Sequence, residues 1–144
     1  MSDKPDPNKK EPAEGELVKI EIDSHEEKEV FWHPEKLREE IKNKWPEQVR
    51  KDAGFELGKV QQGLDPTRFR EMPSIAPGVR EIKVQDENKS QYRLIYIAKF
   101  EEGIYVFHVI TKKTTEKTEK GDLEISRSRY KEIVESRKLR QGKK

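Results

Sequence analysis

Three apolar runs in the second half of the chain decide the fold: VREIKV at 79–84, YRLIYIAK at 92–99 and IYVFHVITK at 104–112. β-Branched and aromatic residues dominate these runs, and the polar segments between them, DENKS and EEG, have the length of hairpin turns. The pattern therefore predicts three consecutive strands in an antiparallel meander.

Two stripes of apolar residues recur at helical spacing upstream of the meander, and each follows a proline that suits a first helical turn. The first stripe is Leu37, Ile41 and Trp45, and the second is Val49, Ala53, Leu57 and Val60. A short strand is expected at 29–32, partial alternation at 17–22 indicates a possible additional strand, and a basic helix is expected from about 120 to 137. The predicted fold class is α+β: an antiparallel sheet with an N-terminal helix pair packed on one face and a C-terminal basic helix.

Length and composition predict one domain with a small core. The chain has 144 residues, of which 42% are charged and only 31% apolar. We expect a flexible acidic extension at 1–28, the folded domain at 29–137 and a basic tail at 138–144. The chain contains no cysteine, which excludes a disulfide scaffold, a zinc ribbon and thiol catalysis. It also has no apolar run of membrane-spanning length, and we expect a soluble, cytoplasmic protein.

The charge is unevenly distributed along the chain. Residues 1–28 hold five Lys and Arg against nine Asp and Glu, whereas the chain from Thr111 onward holds twelve against six. A basic region of this kind attracts phosphate backbones, although a solvated helix face gives the same composition.

The meander strands contain cations that a sheet covered on both faces does not accommodate, so we expect one face or one end of the sheet to be open. The cations are Arg80, Lys83, Arg93, His108, Lys112 and Lys113. Together with tyrosines they form a platform for phosphates and stacked bases. Cleavage of RNA requires deprotonation of a 2′-hydroxyl, stabilisation of the added phosphate charge and protonation of the leaving oxygen, which these residue types supply without a metal or another cofactor. His25, His33 and His108 have no metal-ligand spacing, so no metal site is predicted.

Each of these residues also has a structural interpretation. His108 in an apolar strand is typical of a hydrogen-bonded core histidine, and Tyr92 and Tyr96 are compatible with core positions that keep a solvated hydroxyl. Arg80 and Lys83 are compatible with cross-strand surface ion pairs.

The order of GVREIKV, YRLIYIAKF and YVFHVITKKT, followed by a basic helix with SRSRYKEIV, resembles the RelE/ParE superfamily of toxins from bacterial toxin–antitoxin operons. The resemblance covers about residues 30–134 and is strongest to the HigB-type, phage-derived branch. It implies a small sheet with a helical hairpin and a concave basic surface that cleaves mRNA on the ribosome without a metal.

The resemblance also implies roles for individual residues. Arg80 and Arg93 would stabilise the transition-state phosphate, Lys112 and Lys113 would bind phosphate or assist acid–base chemistry, and His108 is a further catalytic candidate. The expected RNA contacts are Lys83, Tyr96, Lys99, Arg127 and Arg129. The resemblance further implies a helix-turn-helix antitoxin as the protein partner. The alternative is a binder that is not a nuclease, either a gyrase poison of the ParE kind or an inactive member that binds RNA or its antitoxin.

Overall fold

A computed structural model describes residues 27–113 and 118–142. Its elements follow one another as β1 (Val30–Trp32), α1 (Lys36–Lys44), α2 (Glu47–Gln61), β2 (Phe69–Glu71), β3 (Val79–Gln85), β4 (Gln91–Phe100), β5 (Gly103–Lys113) and α3 (Lys120–Gly142). The α+β class, the helix pair, the three meander strands and the C-terminal helix are confirmed. The additional strand that the sequence indicated at 17–22 lies outside the described residues.

The sheet has five strands in the order β1-β5-β4-β3-β2. The strands from β2 to β5 pair in antiparallel fashion, but β1 is parallel to β5, with Val30 opposite Ile104 and Trp32 opposite Val106. The sheet is therefore mixed rather than purely antiparallel. Local alternation predicts a strand at β1 but not its partner, because the pairing joins segments more than seventy residues apart.

The helix pair covers one face of the sheet, as predicted. Leu37 and Trp45 of the first stripe, and the whole second stripe, are buried against Ile82, Leu94 and Val106 of the sheet. Pro46 lies immediately before α2 in an extended conformation, with ψ 153°, and so separates the two helices. We call this side of the sheet the helix-pair face.

The C-terminal helix covers the opposite face, which we call the α3 face. Ile133 is buried there in one cluster with Ile95, Ile97 and Phe107, and the ring centroids of Phe107 and Tyr130 lie 6.0 Å apart. Helices therefore pack on both faces, and the strand cations do not mark an open face as the sequence suggested. The cations lie instead at strand ends, at rims or in buried hydrogen-bonded clusters.

A β-bulge in β5 changes which residues share a face. Tyr96 pairs with Val106, whereas the preceding Ile95 pairs with His108, so Phe107 is an extra residue on β5. Strict alternation predicted that Val106 and His108 share a side. In the structure Val106 packs on the helix-pair face, while Phe107 and His108 both face α3.

Two differences in extent remain. The strand β2 was not predicted, because three residues of mixed character, FRE, carry no alternation signal. The helix α3 continues to Gly142, into the segment predicted as a tail.

No helix in the described residues is both long enough and apolar enough to cross a membrane.

The C-terminal half of α3 is attached to the turn between β4 and β5 through Glu102. Arg137 donates to both carboxylate oxygens of Glu102, at 2.6 and 3.1 Å, and its guanidinium lies 3.9 Å from the ring centroid of Phe100. The Arg137 hydrogen bonds lower the pKa of Glu102 from 4.5 to about 2. Arg140 adds a bond of 3.0 Å to the hydroxyl of Tyr105.

Candidate nucleic-acid interface

The predicted cations divide between the two faces of the sheet. Arg80 lies directly opposite Tyr96, and both belong to the helix-pair face; Lys83 lies opposite Arg93, and both belong to the α3 face. Residues on one strand alternate between faces, and Arg80 and Lys83 are separated by an odd number of positions. A single compact site therefore does not include both predicted transition-state arginines.

Arg93 lies in a buried polar cluster on the α3 face, together with Arg70, Glu81, Gln91 and Thr118; we call this set the Arg93 cluster. Arg93 and Glu81 are both 0% exposed. Arg93 donates to Gln91 at 2.7 Å and to the Thr118 hydroxyl at 3.4 Å. Arg70 donates to Glu81 at 3.1 Å and to the same hydroxyl at 3.3 Å. A buried guanidinium and a buried carboxylate are tolerated here because each is hydrogen-bonded to partners of suitable charge or polarity.

Lysines surround the Arg93 cluster at the ends of β3 and β5. Lys83 is the cross-strand neighbour of Arg93, and Lys113 is the neighbour of Gln91. Directly opposed residues have Cβ atoms about 5 Å apart, so these cations lie within reach of a single phosphodiester. Both lysines are partly exposed, and Lys113 is 3.4 Å from Glu119.

Lys112 is exposed and has a left-handed backbone, with φ 56°. A second irregularity causes this conformation. Gln91 pairs with Lys113 but Arg93 pairs with Ile110, so β5 carries one residue more than β4 between these pairs. The bulge places adjacent lysines of TKK at the end of the sheet beside the Arg93 cluster.

His108 is nearly buried between β5 and α3, and both of its ring nitrogens are engaged. Nε2 lies 2.8 Å from an Asp122 carboxylate oxygen, and Arg129 donates to Nδ1 at 3.1 Å. Burial lowers the pKa of His108. A neutral ring that donates from Nε2 and accepts at Nδ1 satisfies both partners. In this arrangement neither nitrogen is available for proton transfer with an external substrate, which matches the core interpretation of this residue.

Arg129 has two hydrogen-bond acceptors, because besides His108 it also donates to the carbonyl oxygen of Phe107 at 3.1 Å. Burial lowers the pKa of Arg129. Arg127 is exposed and donates to the Ser74 carbonyl at 2.9 Å, and so it fastens α3 to the loop before β3. Lys99 is exposed at the far end of β4, where its aliphatic stem covers Gly78. The contacts of these three predicted RNA-binding residues are thus with Ser74, Phe107, His108 and Gly78, all of which lie outside the Arg93 cluster.

Arg80 has a different environment, on the helix-pair face. Its Nε is 3.0 Å from Glu71, its Nη1 is 2.9 Å from Asp65, and its guanidinium lies 4.4 Å from the ring centroid of Phe69. The hydrogen bond with Asp65 is the main cause of a raised pKa for Arg80. Tyr96 is buried beside it, and burial raises the pKa of the Tyr96 hydroxyl.

Sequence reasoning missed Arg70, Glu81, Thr118 and Asp122. Arg70 lies in the unpredicted strand β2, and Thr118 and Asp122 lie at the start of α3, far from the meander in sequence. Alternation places Glu81 on the side of Lys83, and the register of β3 and β4 places both on the face of Arg93. A surface pair with Arg80 was one structural interpretation of the sequence, whereas the Glu81 carboxylate binds Arg70 and Thr118. Within 27–113 and 118–142, no group of three or more metal-ligating side chains is positioned to hold a metal ion.

The molecule is thus a small α+β protein that carries helices on both sheet faces and a cationic group at one sheet end. Residues 39–131 match the family described as Phage derived protein Gp49-like (DUF891). The match covers more than half of the chain, so the protein belongs to this family, which is related to RelE-like toxins. No curated protein sequence matches the chain as a relative.

Proposed function

We propose that this protein is the toxin of a toxin–antitoxin pair, of the HigB type, and that it inhibits translation by cleaving mRNA on the ribosome. The observation that carries the proposal is the gathering of Lys83, Lys113 and Arg93 on three adjacent strands at one end of the sheet. Membership of a family related to RelE-like toxins supports the same conclusion.

The chemistry requires positive charge at the scissile phosphate. Attack by the ribose 2′-hydroxyl adds a negative charge to the phosphate, and fixed cations stabilise that charge more in the transition state than in the ground state. Lys83, Lys112 and Lys113 reach the surface and are the proposed phosphate contacts. Arg93 lies directly behind them, so we assign it a positioning role through Gln91 and Thr118.

The concentration of cations in this region favours an anionic substrate. The cations are Arg70, Lys83, Arg93, Lys112 and Lys113, and within the described residues Glu81 pairs with Arg70 and Glu119 with Lys113. Arg80 and Tyr96 are not part of this group because they lie on the helix-pair face. His108 enters the proposal as the residue that holds Arg129, not as a general acid or base.

The test is expression of the protein alone in a bacterial host, with a translation-blocked control, followed by transcriptome-wide mapping of new mRNA 5′ ends. We expect cuts only within translated frames. Lys83→Met and Lys113→Met should each reduce cutting about 10²-fold, since each removes one charge contact from the transition state. Lys51→Met is the matched control, because Lys51 is an exposed lysine on α2 that pairs with the surface residue Glu47.

A second candidate function has support from one observation. Arg93 and His108 are both buried and hydrogen-bonded to neighbouring side chains, as in a structural cluster, and this favours a protein that binds RNA, gyrase or an antitoxin without cleaving RNA. Growth arrest without new 5′ ends would refute the nuclease and support this candidate. Double-strand DNA breaks under the same conditions would identify gyrase as the target.

The proposal includes a helix-turn-helix antitoxin as the protein partner. Co-expression with the product of the neighbouring reading frame should relieve the arrest and yield a complex that survives size-exclusion chromatography. If no neighbouring product relieves the arrest, the assignment to a toxin–antitoxin pair fails.

A further inference from the structure

A cavity of about 300 Å³ lies on the helix-pair face, between the end of α2 and strands β3 and β4. Its apolar wall is formed by Val60, Leu64 and Ala98. Its polar wall consists of Lys28, Asp65, Glu71, Arg80, Tyr96 and Lys99. Gly63 also lines the cavity, and a Cβ atom built on it meets no atom within 4 Å, which shows that this side is open.

Tyr96 presents an unsatisfied hydroxyl at this cavity. Its side chain is 1% exposed and its hydroxyl lies beside the Arg80 guanidinium, but within the described part of the chain it makes no hydrogen bond of good geometry and finds no acceptor. A buried hydroxyl without a partner costs free energy comparable to that of a lost hydrogen bond, and such groups mark places where a ligand or water binds.

The groups beside Tyr96 combine donors and acceptors. Asp65 and Glu71 each use one carboxylate oxygen to bind Arg80, at its Nη1 and Nε, so the second oxygen of each carboxylate remains as an acceptor. Arg80 retains Nη2 as a donor, and the phenol of Tyr96 is a second donor. Asp65 and Glu71 pair with Arg80 and so disfavour a phosphate at this arginine, although Lys28 and Lys99 also line the cavity. The two carboxylates favour a neutral ligand that both accepts and donates hydrogen bonds along one edge.

We propose that this cavity binds an unstacked guanine base. A guanine carries the carbonyl O6 next to N1–H and N2–H₂ donors on its Watson–Crick edge, and proteins read such edges of single-stranded RNA by hydrogen bonding. O6 accepts from Tyr96 and Arg80, the two N–H groups donate to Asp65 and Glu71, and the ring lies against Val60, Leu64 and Ala98.

The choice of a nucleobase rests on the proposed function, and the geometry of β2 connects the two sites. β2 is the edge strand of the sheet, and its adjacent residues point to opposite faces. Arg70 belongs to the Arg93 cluster, whereas Glu71 lines the cavity. An RNA strand that passes around this three-residue edge therefore reaches both the cationic group and the cavity.

The experiment is calorimetric titration of the purified full chain with guanosine, which has no phosphate and so does not report on the cationic group. We expect saturable binding with Kd of about 1 mM or below, binding of inosine about fivefold weaker because it lacks the N2 amine, and no saturable binding of adenosine or uridine. Guanosine should also shift the backbone amide signals of Gly63 and Gly78, which line the cavity.

Tyr96→Phe should weaken guanosine binding about fivefold, because it removes one donor. Its fold should persist, since the lost hydroxyl makes no hydrogen bond of good geometry within residues 27–113 and 118–142. Tyr92→Phe is the matched control: Tyr92 is a buried tyrosine of the same strand, its hydroxyl binds Asp86, and it lies outside the cavity. Equal loss in both variants, equal binding of adenosine, or no saturable guanosine binding by the unaltered chain would each overturn the proposal.

The two proposals fail separately. Guanosine binding by a chain that produces no mRNA cuts would retain the base site and refute the nuclease. Ribosome-dependent cuts by a chain that does not bind guanosine would retain the nuclease and refute the base site.

Discussion

The hydroxyl of Thr118 donates a hydrogen bond of 2.6 Å to Glu81, whose carboxylate is completely buried on the α3 face. The same oxygen accepts from Arg70 and Arg93, so one hydroxyl connects the start of α3 to strands β2, β3 and β4. This contact couples the position of α3 to the arginines that lie behind the proposed phosphate contacts.

Thr118→Val should lower the free energy of unfolding by about 2 kcal/mol. Valine has nearly the same shape, but it removes the hydroxyl donor of the buried Glu81 carboxylate and one acceptor of each of the two guanidiniums. Urea denaturation measures the change. The slope of the unfolding free energy against urea concentration should stay constant if the folded and unfolded states keep their exposed surface areas.

Thr67→Val is the control for this prediction. The Thr67 hydroxyl accepts a hydrogen bond from Lys59 at 2.6 Å, but at an exposed position. Its replacement should change the free energy of unfolding by less than about 0.5 kcal/mol. A similar loss in both variants would show that the Arg93 cluster contributes no more than a surface hydrogen bond.

Glu102 should make stability depend on acid pH. Because its pKa in the folded protein is about 2, below the ordinary value of 4.5, the unfolded chain takes up the proton first as pH falls. The stabilisation by Glu102 is therefore present above about pH 4.5 and lost between about pH 4.5 and 2. Its side chain is 30% exposed, so we expect about 1 kcal/mol at neutral pH rather than the full linkage value.

The measurement compares urea unfolding of the unaltered protein and Glu102→Gln across this pH range. The difference in unfolding free energy between the unaltered protein and Glu102→Gln should be largest at neutral pH and should vanish at the acid end of this pH range. Glu135→Gln is the control, because Glu135 is exposed on α3, the helix that carries Arg137. A difference for Glu102→Gln that does not change with pH would contradict the assigned ion pair with Arg137.

His108 should be neutral at pH 7, with its proton on Nε2. Burial lowers its pKa below the ordinary 6.5, so its contribution to stability is present above about pH 6.5 and is lost as pH falls through the folded pKa. Long-range ¹H–¹⁵N spectra report the tautomer directly, and a His108→Gln variant assigns the signal by its disappearance. A ring that is protonated at pH 7, or that carries its proton on Nδ1, would refute the contacts with Asp122 and Arg129.

Phe107→Ala should reduce the free energy of unfolding by about 3–5 kcal/mol, because the bulge directs this 0% exposed ring into the contact with α3. Phe55→Ala should change it by less than about 0.5 kcal/mol, since Phe55 is 65% exposed on α2. Equal effects in thermal or urea denaturation would indicate that α3 does not pack on this face.

The elements that the sequence predicted correctly are those in which a local pattern has one interpretation. The apolar residues that follow Pro34 and Pro46 at helical spacing lie on one side of each helix, and that side is buried. The meander runs are alternating or continuously apolar and are separated by short polar turns, which indicates strands. The strand β2 escaped prediction because three residues give no period to count.

The candidate site was only partly predictable. Lys83, Lys112 and Lys113 were identified from their positions in the strands, and the register places them together with Arg93. The separation of Arg80 from Arg93 follows from the period of two along each strand together with the register of β3 and β4, and the alternation of VREIKV and YRLIY does not give that register. Arg70 and Thr118 were not identifiable, because their contacts to Glu81 join distant parts of the chain.

The sequence by itself determined the α+β class, the order of helices and meander strands, and the concentration of cations toward the C-terminal strands and helix, because these follow from local periodicity and composition. Only the tertiary structure decided the parallel position of β1, the burial of Arg93 with Glu81, and the face on which His108 lies. The physical reason is that the first two depend on contacts between segments far apart in the sequence. The third depends on one extra residue in β5, Phe107, which reverses the faces of that strand without a local sequence signal.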